Sequence, residues 1–138
     1  MKVAVTGASG FLGGHVLAAL KKHEVDVVTT TREAARLHDG LESVCVVEMD
    51  IARPLPDCFE RLGKPDVLIH LAWDGLPNYK SLHHFETELP RQYQFLKVMV
   101  EGGLSSLVVT GTCFEYGMQT GGLAADAPTR PTDRKSVV

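Results

Sequence analysis

The chain holds 138 residues, 44% of them hydrophobic and 22% charged, with a formal net charge of −3. This size and balance suit one soluble globular domain with its own core, and the negative balance excludes a broadly basic nucleic-acid surface. No apolar run approaches the roughly 20 residues of a bilayer span, and Cys45, Cys58 and Cys113, odd in number and widely spaced, read as reduced thiols of a cytoplasmic protein rather than a disulfide framework.

Val3, Ala4 and Val5 predict a short buried strand, which leaves no place there for a cleaved signal peptide. Residues 6–10 form a tight turn, and a helix runs from about Phe11 to Lys22. Gly7, Gly10 and Gly13 stand at the spacing GxxGxxG. Gly7 permits a turn that a Cβ would obstruct. Gly10 lets a pyrophosphate approach the backbone at the helix start. Gly13 lets the helix lie close to the first strand. A glycine triplet between an apolar strand and an amphipathic helix predicts a dinucleotide site. Leu12, Val16, Ala19 and Leu20 are expected on the helix's inner face; His15 among them reads as packed or half-exposed.

Val25–Thr30 is the second strand, close to the continuous apolar run of a parallel strand covered on both faces. Its end decides the cofactor's flavour. A carboxylate there binds the ribose 2′-hydroxyl of NAD. This chain offers Thr30, Thr31 and Arg32 instead. Arg32 suits a 2′-phosphate, which favours NADP. Glu33 keeps NAD open, and Arg32 as a plain loop residue is the alternative.

Val44–Glu48 is the third strand. Asp50 and Ile51 follow, placed to accept from an adenine amino group and to pack on its ring; Asp50 as a helix N-cap fits the spacing equally well. Arg53-Pro54 opens a short helix that reaches about Leu62 and stops at Gly63. Asp66–Leu71 is the fourth strand, and Ala72-Trp73-Asp74-Gly75 a loop on the carboxyl side of the sheet, where ligands bind in such folds. Trp73 lines the nicotinamide side of the pocket or covers the sheet edge. Residues 76–88 are a loop with one helical turn at most. His83 and His84 are adjacent and cannot share a helical face, so no metal-ligand spacing emerges. A helix runs from Pro90 to Glu101, ended by Gly102-Gly103. It carries two apolar stripes, Tyr93/Leu96/Val100 and Phe95/Val98/Met99, one for the sheet and one for a second subunit. Leu107–Val109 is the fifth strand, ending in Thr110-Gly111-Thr112.

Strands alternating with helices predict an α/β fold with a doubly wound parallel sheet. Right-handed crossovers give the strand order 3-2-1-4-5.

TGASGFLGG at 6–14, DI at 50–51, HLAW at 70–73 and TGTCFEYG at 110–117 resemble the extended short-chain dehydrogenase/reductase family. More narrowly they resemble its NAD(P)-dependent epimerase/dehydratase group, which acts on nucleotide-activated sugars. The resemblance covers about residues 1–132 and implies a Rossmann-type domain that binds NADP or NAD. Together with the residue readings it assigns the cofactor to Gly7, Ser9, Gly10, Phe11, Leu12, Gly13, Arg32, Asp50, Ile51, Leu71, Ala72, Trp73 and Thr110. It also implies that Thr112 holds the place of the family's catalytic serine or threonine, and that a homodimer or larger oligomer forms through the helix over 89–101.

The family's acid/base tyrosine, in a YxxxK motif, is not matched. Pro128, Thr129, Pro131 and Thr132 resemble the approach to it, but Lys135 stands where the tyrosine belongs, in an atypical tail over 133–138 that is expected to fray. The substrate-binding domain is also missing from the pattern. Three functions follow: a truncated dinucleotide-binding domain with little or no catalysis, an enzyme completed by another chain, or an interaction module that has lost the cofactor.

Overall fold

β1 (Lys2–Thr6) forms the middle of the molecule, and the alternation of its side chains sets the two layers around it. Val3 and Val5 point to one face, where they pack with Ala8, Leu17 and Val27. Ala4 points to the other, where it meets Val28, Leu68, Phe59, Leu62, Phe95 and Met99. A strand buried on both sides must be apolar on both sides, and Val3 to Thr6 are all buried.

The computed structural model of the chain describes residues 1–33 and 44–138. β2 (Asp26–Thr31), β3 (Val44–Glu48), β4 (Val67–His70) and β5 (Ser106–Val109) join β1 in one sheet of five strands, ordered β3-β2-β1-β4-β5 as expected. Every pairing is parallel. The register sets Val5 beside Thr29 and Ile69, and Thr6 beside His70. The carboxyl ends of β1, β2 and β4 therefore open at one edge of the sheet.

α1 (Phe11–Leu20) covers the face of Val3 and Val5. Its inner side differs from the expected one. Gly13 and Leu17 are buried and Val16 and Leu20 partly so, whereas Leu12 and Ala19 are exposed. The cause is the contact at Gly13. A Cβ there would stand 2.5 Å from Ala8 Cα, so this residue marks the line of closest approach. The helix is thereby rotated to present positions 13, 17 and 20 inward. His15 is exposed and meets Phe11 edge-on at 4.9 Å.

α2 is shorter than expected, Cys58–Arg61. Asp50 bonds the Ala52 N–H and Arg53 Nε and closes a turn before a helix can begin. Pro54 and Pro56 supply no N–H to a helical ladder. α3 (Leu89–Gly102) follows a π turn over His84–Glu88 and ends at Gly103 in the left-handed conformation. Phe95 and Met99 are fully buried under it, while Leu89, Tyr93 and Val100 lie exposed. Of the two predicted stripes, the one holding Phe95 and Met99 faces the sheet.

Where fraying is expected, the tail forms a short helix. Asp133 caps α4 (Arg134–Val137) by accepting from the Ser136 N–H at 3.0 Å. The Lys135 N–H bonds the Tyr79 carbonyl at 3.1 Å, and the Arg134 guanidinium donates to the Lys80 carbonyl. These backbone contacts tie the tail to the loop after β4.

Candidate functional site

A cavity of about 470 Å³ opens where the carboxyl ends of β1, β2 and β4 meet. This is where a doubly wound sheet binds ligands. Gly7 forms its floor with φ +70°, and a Cβ there would lie 2.8 Å from the Ala72 backbone nitrogen. The β1–α1 turn thus rests directly on the loop after β4. Gly10 differs: the nearest atom to its Cβ position is the Gly7 carbonyl oxygen, at 3.2 Å. Its own N–H is bonded to that oxygen at 3.0 Å. The donors left for an anion are the first-turn N–H groups of α1, which no capping side chain satisfies.

This arrangement sorts the predicted residues. Gly7, Ser9 and Gly10 line the cavity. Phe11 and Leu12 do not; the two residues are 82% and 50% exposed. Gly13 packs against Gly7 and Ala8 rather than lining the cavity.

On the β2 side, Thr30, Thr31 and Arg32 line the wall. Thr31 Oγ1 donates to the Glu33 carbonyl at 2.7 Å and fixes the strand's exit. Across from it stand Met49, Asp50 and Ile51. Partial burial pushes the Asp50 pKa up, but hydrogen bonds from Arg53 and Ala52 and the charges of Arg53 and Arg32 outweigh it and hold the carboxyl below its ordinary range. Asp50 therefore presents a carboxylate, each oxygen keeping spare acceptor capacity beyond its turn contact.

On the β4 side, Leu71, Ala72, Trp73 and Asp74 complete the wall. His70 precedes them, 3% exposed, with Nδ1 at 2.8 Å from Thr6 Oγ1 and its ring stacked on Phe95. Burial lowers its pKa, and the nearby Gln92 side chain and Glu88 charge only partly offset this. Trp73 donates from Nε1 to His84 Nδ1 at 3.1 Å and stacks on that ring. His84 Nε2 lies 2.8 Å from the Asn78 carbonyl. These partners assign the neutral tautomer with the proton on Nε2, because Nδ1 must accept. Lys135 holds its ammonium 5.5 Å above the Trp73 ring.

Glu88, Arg91 and Gln92 also line the cavity, and the sequence reading missed them. Glu88 is 3% exposed; its Oε1 accepts from the Asp74 N–H at 3.0 Å and from Gln92 Nε2. A signal existed: Glu88 and Gln92 are four apart and continue the buried stripe of Phe95 and Met99, where a polar residue needs a reason.

Two predicted residues stand elsewhere. Thr110 bonds the His70 carbonyl through its N–H at 3.1 Å and is not on the cavity wall. Thr112 caps a 3₁₀ turn over Cys113–Tyr116, its hydroxyl accepting from the Phe114 N–H at 3.3 Å.

Residues 3–136 match the pattern of the NAD dependent epimerase/dehydratase family. The chain belongs to this family. A dTDP-6-deoxy-L-talose 4-dehydrogenase (NAD(+)) of Aggregatibacter actinomycetemcomitans is 28% identical over 132 residues, which is 95% of this chain and 48% of the relative. A UDP-glucose 4-epimerase of Azospirillum brasilense is 29% identical over 136 residues, 94% of this chain and 39% of the relative. Among solved structures, MoeE5 in complex with UDP-glucose and NAD superposes with a TM-score of 0.77 at 25% identity, over 99% of this chain and 45% of that one. The chain thus spans about half the length, or less, of the family members it matches, and it shares a Rossmann-type fold with them. Among the described residues, no helix is long and apolar enough to cross a membrane.

Proposed function

We propose that the chain is the dinucleotide-binding half of a nucleotide-sugar epimerase, dehydratase or reductase, and that its cavity takes a nicotinamide dinucleotide. The observation that carries this is the Gly7–Gly10 turn, which opens uncapped helix N–H groups beside a cavity running from the end of β2 to the end of β4. The relatives that carry NAD in their names support the same class of cofactor. Within it, Arg32 on the wall supports NADP(H) over NAD(H). Asp50 and Ile51 take the adenine, and Trp73 the nicotinamide side. Thr112 is a remnant of the catalytic set. The three free cysteines fit a reducing, cytoplasmic setting.

A thermal-shift titration tests this. Ligand at a hundred times its dissociation constant stabilises the fold by about 2.7 kcal/mol. NADPH should raise the unfolding temperature more than NADH does. No rise with either at millimolar concentration sinks the reading.

A second reading is supported by β5. It ends the sheet, all four of its residues are exposed, and Met118 beyond it is 97% exposed. An uncovered apolar edge strand invites pairing. A further polypeptide segment, in the same or another chain, completes the sheet and supplies sugar binding. The exposed Leu89, Tyr93 and Val100 on α3 supply a second surface, for a homodimer.

A further inference from the structure

Three side chains with metal-binding atoms meet beside the cavity. The ligand atoms of Asp74, His83 and Glu88 all lie within 4.8 Å of one another. Sequence spacing concealed the set, because it joins the loop after β4 to both ends of the π turn before α3.

The arrangement is held from several sides. Glu88 Oε1 is engaged by the Asp74 N–H and by Gln92 Nε2, which turns Oε2 toward His83. His83 Nε2 stands 3.8 Å from Oε2, beyond hydrogen-bond reach. That nitrogen is shut off from solvent and has no hydrogen-bond partner. The imidazole occupies the space that a side chain at position 75 would fill. Gly75 has φ +86°, and a Cβ there would lie 2.7 Å from His83 Cδ2. A buried ring nitrogen that is unpaired and stands beside two carboxylates is a donor set lacking its acceptor.

We propose that Asp74, His83 and Glu88 bind a divalent first-row transition cation of the zinc class. One imidazole with two carboxylates suits such an ion, whereas calcium and magnesium prefer oxygen-only ligands. Tetrahedral bonds of about 2.0–2.1 Å set ligand atoms about 3.4 Å apart. The His83–Glu88 separation of 3.8 Å is already near that spacing. Asp74 is exposed and on a loop, so it can close the remaining gap. The bonds to Glu88 Oε1 supply the outer support that metal-binding carboxylates require. Asp74 and Glu88 also line the cavity, so the ion's open positions face it. The site does not depend on dinucleotide binding. The competing arrangement is a protonated His83 paired with Glu88 and no metal.

The test uses the tag-free 138-residue protein, stripped with EDTA and titrated with Co2+. We expect a visible Co2+ absorption band saturating at one equivalent, without the charge-transfer band of a thiolate ligand, and displaced by Zn2+. Losing a direct ligand should weaken binding by at least about tenfold, so His83→Gln and Glu88→Gln should each do so. His15→Gln and His23→Gln, outside the cluster, should not. Circular dichroism checks each variant's fold; if Glu88→Gln unfolds, Asp74→Asn, on the exposed loop, takes its place. Absence of the band, or binding undiminished by both His83→Gln and the carboxylate variant, overturns the proposal. Absence of the band together with a His83–Glu88 coupling in a double-mutant stability cycle identifies the bare ion pair instead.

Discussion

A Cβ on Gly13 would lie 2.3 Å from the carbonyl oxygen of Gly7, closer than any side chain can come. The two glycines lock α1 onto the end of β1. Gly10, between them, has a much looser position, with its nearest neighbour 3.2 Å away and an ordinary extended φ of −82°. The triplet therefore splits: Gly13 serves packing, Gly7 both packs and floors the cavity, and Gly10 lines the cavity without a tight contact. Gly13→Ala should destabilise the fold by several kcal/mol, since overpacking typically costs about 1–3 kcal/mol and here the clash is with backbone. Gly10→Val should leave a folded protein that no longer binds dinucleotide. Urea unfolding and a cofactor titration on both variants separate the two effects. Full cofactor affinity in folded Gly10→Val would mean that the turn serves packing alone.

Arg32 gives the second expectation. It lines the wall opposite Asp50, whose carboxylate its charge helps to stabilise. A 2′-phosphate there would gain a charge-assisted contact, roughly twice as strong as a neutral hydrogen bond. Arg32→Ala should lower affinity for NADPH by about tenfold, on the scale of a hydrogen bond to a charged group, and leave NADH nearly unchanged. Calorimetric titration with both cofactors reads the ratio. An unchanged ratio removes Arg32 from cofactor selection.

His70 makes stability depend on pH. Its burial lowers the folded-state pKa below the ordinary value of 6.5. The unfolded chain then binds the proton more readily than the folded one, so stability rises with pH between the folded pKa and 6.5. As pH falls below about 6.5, this contribution is lost. Asp50, depressed from 3.8, acts in a separate and lower window: its contribution is present above its unfolded pKa and disappears as pH falls through the folded one. Urea midpoints at pH 7.5 and 5.5 should differ in the wild type. His70→Gln should shrink that difference, and an equal pH dependence in the variant would place the effect on other histidines.

Much of this was legible in the residues. Val3–Val5, the glycine spacing and the β-branched runs of β2 and β4 fixed the sheet, because parallel strands leave a continuous apolar trace. The cavity's glycine turn and its β2 and β4 walls followed from topology. What stayed hidden depended on three-dimensional contact. The rotation of α1 comes from the Gly13–Gly7 approach, which periodicity does not report. Glu88 lay in a stretch read as loop and Gln92 in a helix read for its apolar stripes, and their polar role appears only when Asp74 is brought beside them. The tail's order rests on Asp133 and on the Tyr79 and Lys80 carbonyls, more than fifty residues away.

Association is the fourth expectation. Leu89, Tyr93 and Val100 are 37%, 60% and 54% exposed on α3, while Phe95 and Met99 beneath them are buried. An apolar stripe on an otherwise well-packed helix marks an interaction surface. Light scattering at about 10 μM should report a dimer if the dissociation constant is 1 μM or tighter. Tyr93→Glu should shift the population to monomer without loss of helicity. A monomeric wild type at that concentration counts against the surface.

The last expectation is catalytic silence of the 138-residue chain by itself. Proton transfer by a positioned group contributes about 10²–10⁴-fold, and orientation of the sugar contributes more. The residues near the expected catalytic position are already engaged. Thr112 accepts from the Phe114 N–H as a turn cap and lies off the cavity wall. Lys135, at the place expected for the tyrosine, rests over the Trp73 ring instead of lining the cavity. Tyr116 lies within the 3₁₀ turn that Thr112 caps and is likewise absent from the wall. None of the three lines the cavity. The chain alone, saturated with NADPH for 4-keto sugars and with NADP+ or NAD+ for 4-hydroxy sugars, should therefore turn over no dTDP-, GDP- or UDP-hexose above background. NADPH absorbance and sugar-nucleotide composition together read this, since an epimerase returns its hydride and leaves the absorbance unchanged. If turnover appears and Thr112→Val abolishes it, the hydroxyl must reach the sugar in a conformation other than this one. If turnover appears only when a second polypeptide is added, that polypeptide supplies the missing acid/base group.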